Sequence, residues 1–125
     1  MTAPVWMNAV IGDFGRAAKL GGLALNDRGA AVLRFENGSS LRLEYTGEEL
    51  VVAMSVRSSD VKRLLSLAHP RARYGFRIRT GIVPKTHEAV IAVRLAERDV
   101  TLPRVNGVFE VLWRLAGEMG GATWA

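Results

Sequence analysis

The sequence predicts an α+β fold: a twisted antiparallel sheet of five strands with three helices, in the order α-β-β-β-α-β-β-α. Three observations carry this. Alternating runs at Leu33–Glu36 and Leu41–Tyr45 flank Asn37-Gly38, the strongest short-range hairpin signal, because both turn positions tolerate positive φ. Thr46-Gly47 makes a second turn into the apolar run Leu50–Val56. Near the C-terminus Val105, Val108, Leu112, Leu115 and Met119 fall on one helical stripe, with Phe109 and Ala116 beside it.

The elements follow in order. Pro4 suits a first helical turn, where its missing N–H costs nothing. Met7, Val10, Ile11, Phe14, Ala17 and Ala18 then recur at three- and four-residue spacing, and Gly21-Gly22 supply a left-handed stop. Gly12 and Gly15 each weaken this helix by up to about 1 kcal/mol relative to Ala, so packing must hold it. A three-strand meander comes next. Ser58, Ser59 or Asp60 caps a short helix carrying Val61, Leu64, Leu65 and Ala68, which His69-Pro70 ends. Tyr74, Phe76 and Ile78 alternate with Arg77 and Arg79 in a fourth strand. A turn-rich stretch with Gly81 and Pro84 leads to a fifth, Ala89–Leu95, and Leu102-Pro103 opens the last helix, closed by Gly120-Gly121.

Composition bounds the function. The chain is 125 residues and 13.6 kDa, read as one domain over residues 1–125. With 49% apolar and 23% charged residues it has the make-up of a folded protein, not a disordered one. It lacks cysteine, which excludes disulfides and thiol chemistry. The longest apolar runs, Leu50–Met54 and Ala89–Val93, are five residues against the roughly 20 that span a bilayer. The N-terminus has no cation before Arg16 and no continuous apolar h-region, so the expectation is a cytoplasmic protein without a secretory signal and without membrane partners.

The net charge is +5, and it is uneven. Arg57–Lys85 holds eight cations and one acid, Asp60, while the rest of the chain is slightly acidic. Such a patch attracts phosphates or acidic protein surfaces. The reading that competes with a protein-binding one is therefore a nucleic-acid or polyanion-binding domain. It is the weaker reading, because strand alternation puts Tyr74, Phe76 and Ile78 on one face and the arginines on the other, whereas stacking platforms need both in one groove.

The catalytic inventory is thin. His87-Glu88 begins like a zinc-protease helix, but Ile91 stands where the second histidine belongs. His69 reads as a helix-end residue, and no phosphate-cradling glycine loop occurs. The reading is a non-enzyme with no metal and no cofactor.

The unusual feature is apolar residues on the outward side of strands. With Leu50, Val52, Met54 and Val56 facing a core, Val51 and Ala53 face away. The same holds for Val90 and Ala92 on the fifth strand and for Val32 on the first. Solvated faces of antiparallel sheets normally carry polar residues there, so this face calls for a cover. Trp6, Val111 and Trp113 also lie off the main stripes of their helices. Candidate binding residues are thus Trp6, Val32, Val51, Ala53, Val90, Ala92 and Trp113. Arg34, Arg77, Arg79 and Arg94 add orientation and a preference for acidic residues in the partner. On the short helix Leu67 lies off the inward face, making Val61, Leu64, Leu67 and Ala68 a candidate self-association surface.

Asp13-Phe14-Gly15-Arg16, Leu23-x-Leu25-Asn26-Asp27-x-Gly29 running into Ala30–Glu36, Leu41–Glu44 and Leu102-Pro103, in this order of elements, resemble the class I type III secretion chaperones, the Tir chaperone or CesT-like family. The resemblance covers nearly the whole chain. It implies a small cytoplasmic bacterial homodimer without ATPase activity, which binds the N-terminal region of a secreted effector in extended form and keeps it export-competent.

Overall fold

The computed structural model describes residues 2–35, 39–56, 77–83 and 88–120. Within them lie helix α1 (Val5–Ala17), strands β1 (Ala30–Arg34), β2 (Ser40–Tyr45), β3 (Glu49–Val56), β4 (Arg79–Val83) and β5 (Glu88–Ala96), a 3-10 turn over Glu97–Asp99, and helix α2 (Leu102–Gly120). The fold is α+β, with a five-stranded antiparallel sheet and two helices among the described residues. The expected short helix with Val61, Leu64, Leu67 and Ala68, and the Asn37-Gly38 turn, lie outside the described residues.

Helix α1 starts one residue later than the Pro4 reading places it: Pro4 is the cap just before Val5, and its carbonyl accepts from the N–H groups of Met7 and Asn8. Its end differs from expectation. The left-handed residue is Lys19 (φ 59°), two positions before Gly21. The N–H of Leu20 bonds to the Gly15 carbonyl at 2.7 Å and that of Lys19 to the Arg16 carbonyl at 3.1 Å, the paired bonds of a Schellman stop. Those two bonds hold a lysine where a glycine would sit more easily. Gly21 (φ 77°) then serves the loop that follows. The loop passes so close to α1 that a Cβ at Gly15 would lie 2.8 Å from the Leu23 Cβ and 3.0 Å from the Gly21 carbonyl oxygen.

The stretch leading into β1 is fastened by asparagines. Asn8 Oδ1 accepts the Leu25 N–H at 2.9 Å, and Asn26 Oδ1 accepts the N–H groups of Arg28 and Ala30. Gly29 turns the chain at φ 75°, and its carbonyl accepts the Tyr45 N–H at 2.7 Å. The meander then forms as the alternation predicts, Leu33 opposite Leu41 and Leu43 opposite Val52.

The sheet order is β1-β2-β3-β5-β4, so β5 lies beside β3 and β4 forms the far edge. Of the residues read as the fourth strand, Tyr74 and Phe76 lie outside the described residues, and Arg77 and Ile78 come just before β4. The observed strand runs further toward the C-terminus than the reading did. It covers Arg79–Val83, and Gly81, expected in a turn, lies inside it opposite Val90. Ile78, just before β4, is buried.

Both helices pack on one face of the sheet. Met7, Ile11 and Phe14 of α1, and Val105, Val108, Leu112, Leu115 and Ala116 of α2, are buried with Leu41, Leu43, Leu50, Val52, Met54, Ile91 and Val93. Phe14 meets Phe109 edge-on at 5.4 Å, which joins the helices. Ala17 is exposed rather than part of this stripe, and Val111, read as off the stripe, is buried. Helix α2 is enclosed over a wider arc than a single stripe.

Candidate functional site

The other face of the sheet is the candidate site, and its register is explicit. Opposed residues of antiparallel neighbours share a face, so the strands align three rows across it. One row runs Ala30, Glu44, Val51, Arg94. The next runs Val32, Arg42, Ala53, Ala92, Arg79. The third begins at Arg34 opposite Ser40, and Ser55, Val90 and Gly81 follow. Ser40 and Ser55 close its middle by a hydroxyl pair at 3.0 Å, while the Ser55 hydroxyl accepts the Ser40 N–H at 2.9 Å.

Every strand residue expected to face away from the core does so. Val32 is 53% exposed, and Val51, Ala53, Val90 and Ala92 are half-buried. The opposite residues Leu43, Val52, Ile91 and Val93 are buried against the helices. The period of two alone makes this division.

The charges on this face fall into two groups. Arg42 pairs with Glu44 at 3.6 Å and Arg94 with Glu49 at 3.5 Å, all four partly exposed and weakly coupled through water. Arg34 on β1 and Arg79 on β4 are exposed, as is Arg77 two residues earlier, and none of the three forms an ion pair among the described residues.

The two tryptophans do not join this face as one surface. Trp113 is half-buried in the helical layer, 5.0 Å from the Phe35 ring and 5.7 Å from that of Phe109. It closes an aromatic run rather than facing outward. Trp6 is 45% exposed and lines an open cleft with Glu48, Ala96, Glu97, Arg98 and Val100. This cleft sits at the end of the sheet, where Glu49 opposes Ala96. Ala96 lies on the outer face, so the cleft continues that face around the end of β5.

The sequence reading missed the cleft, along with Val5, which is 88% exposed beside Trp6. The missing signal was the pairing of β3 with β5, which brings the Thr46-Gly47 turn against Glu97. The Glu97 N–H donates to the Glu48 carbonyl at 3.0 Å. The Tyr45 hydroxyl lies 3.0 Å from the Gly47 carbonyl and 3.2 Å from Glu97 Oε1, sharing its proton between them. Burial, and secondarily the Glu97 carboxylate, raise the pKa of Tyr45.

Residues 6–120 match the profile of the type III secretory system chaperone SycN family. The chain belongs to that family. No curated protein matches the sequence of this chaperone. In fold it is similar to a chain of the ExsC–ExsE complex, with a TM-score of 0.78 and 19% identity over 97% of this chain and 96% of that one. It also resembles a chain of the HopA1–SchA chaperone–effector complex, at TM-score 0.72 and 17% identity over 91% and 92%. A third likeness is to the Yersinia pestis type III secretion chaperone SycH, solved with a stable fragment of YscM2. There the TM-score is 0.69 with 17% identity over 90% and 98%. At these identities the likeness establishes the fold. The nucleic-acid alternative gains no support from family or fold. Among the described residues no helix is long and apolar enough to cross a membrane.

Proposed function

We propose that this chaperone binds the N-terminal region of a secreted effector in extended form, as a single-domain cytoplasmic homodimer, keeping the client soluble and export-competent by binding alone. The observation that carries this reading is the aliphatic surface of the outer sheet face, Val32, Val51, Ala53, Val90 and Ala92, arranged in cross-strand rows. Covering such residues is worth roughly 25 cal/mol per Å², and an extended segment contacts several rows at once. The solved relatives support it, since HopA1–SchA is a chaperone–effector complex of this fold. We assign self-association to Val61, Leu64, Leu67 and Ala68, which the sequence reads as a short helix and which lie outside the described residues. Light scattering tests the dimer, and a particle of about 13.6 kDa at micromolar concentration rejects it.

The test of the client site is the double variant Val51→Glu, Val90→Glu, tagged in its native bacterium. Circular dichroism should show it folded, and the protein that co-purifies with the wild type should be lost. A folded, dimeric variant that retains that partner places the site elsewhere.

A further inference from the structure

The outer face does more than offer aliphatic area: its cations without an ion pair among the described residues sit at opposite edges of the sheet. Arg34 is on edge strand β1 and Arg79 on edge strand β4, with Arg77 next to it. Between them lie β2, β3 and β5, whose outer-face arginines Arg42 and Arg94 are engaged by Glu44 and Glu49. Arg34 and Arg79 stand four strand spacings apart and two residues out of row. That is a separation of about 20 Å between their backbones, or ~6 residues of extended chain. The surface between is Val32, Ala53, Ala92 and Val90, with the Ser40–Ser55 hydroxyl pair.

The geometry points to a two-ended acidic recognition site: an extended client segment crosses the strands, with carboxylates ~6 residues apart engaging Arg34 at one edge and Arg77 and Arg79 at the other, and aliphatic residues between. This rests on the client-binding reading and names the chemistry selected there. Charge complementarity chooses the occupant. Guanidinium groups without an ion-pair partner on the described surface are matched by carboxylates, which they bind in bidentate fashion. A second copy of this chain on the same face would oppose arginine to arginine in a symmetric pair. A nucleic-acid backbone carries charge at every nucleotide and wants cations along its whole track, whereas the middle of this face is aliphatic and internally neutralised.

The probe is a fluorescein-labelled twelve-residue peptide with two glutamates six positions apart, separated by valine and threonine. Three controls accompany it: the same peptide with glutamines, one with the glutamates three apart, and a thymidine 12-mer. The full chain should bind the first most tightly, by about tenfold over the glutamine form, with the gap closing as salt rises. Arg34→Gln and Arg79→Gln should each erase most of that gap, bringing the glutamate peptide's affinity close to the glutamine peptide's. Equal affinity for the glutamate and glutamine peptides, or for the two spacings, overturns the proposal but leaves an uncharged client on this face intact. Tighter binding of the oligonucleotide overturns it in favour of a polyanion site. Binding of no peptide, by a chain that still holds its client through Val51 and Val90, overturns it alone. If the client also survives the Val51→Glu, Val90→Glu change, the underlying reading falls with it.

Discussion

The two faces of the sheet are built from the same strands, yet they obey different rules. On one, Leu43, Val52, Ile91 and Val93 lie in register beneath two helices and are nearly inaccessible. On the other, one residue along each strand, Glu44, Val51, Ala53, Ala92 and Arg94 mix aliphatic and charged side chains and keep contact with solvent. Close packing makes the first face intolerant of volume change. The second has no helix over it among the described residues, so substitution there should cost little stability. Apolar content alone therefore does not mark a core: Val52 and Val51 are neighbours of one residue type with opposite roles.

The largest test of this contrast is in the core. Leu112→Ala removes a side chain that is fully buried between α2 and the sheet, and should lower the unfolding free energy by about 2–5 kcal/mol in urea titration. A loss under 1 kcal/mol would mean that α2 is loosely seated.

The next uses a pair of glycines on α1. At Gly15 an added Cβ meets Leu23 at 2.8 Å and the loop backbone at 3.0 Å, whereas at Gly12 the nearest atoms are 3.7 and 3.9 Å away. Gly15→Ala should cost roughly 1–3 kcal/mol through forced displacement of the loop. Gly12→Ala should be neutral or raise stability by up to about 1 kcal/mol through helix propensity. Thermal melts that rank the two the other way would show that the loop moves aside freely.

On the outer face, Val32→Asp should shift stability by no more than about 0.5 kcal/mol, because Val32 is largely in solvent. A loss of several kcal/mol would mean that this edge is covered in the free protein.

The smallest effect belongs to Tyr45, whose ring is in the core while its hydroxyl meets Glu97 at the rim. Its pKa is raised above the ordinary 10.0. The folded state therefore favours the neutral phenol, and the contribution is complete below pH 10. Above that pH the unfolded chain ionises first, so stability declines as pH rises toward the folded-state pKa. In Tyr45→Phe this alkaline decline should be shallower. An identical pH profile would assign the decline to other groups.

How much was legible depended on range. The hairpin signals around β1, β2 and β3 involve residues close in the chain, and the strands formed where the alternation placed them. Lys19 shows where local reading failed. A glycine pair two residues on carried the stronger sequence signal, but two hydrogen bonds from the end of α1 decided the stop. Gly81 shows the same for β4, since pairing with Val90 outweighed its turn propensity. The Trp113 ring contact was not legible because its partner Phe35 is distant in the chain.

By itself the sequence determined the division of β1, β2, β3 and β5 into an inward and an outward side, because successive side chains point oppositely whatever the strand pairs with. It also determined that the outward side carries Val32, Val51, Ala53, Val90 and Ala92. Only the tertiary structure decided that β5 lies beside β3 and leaves β1 and β4 as the edges. That order sets Arg34 and Arg79 at opposite margins and brings Trp6, Glu48 and Glu97 to one cleft. The physical reason is that strand order arises from pairings between distant segments, and side-chain periodicity holds no record of which neighbour a strand will find.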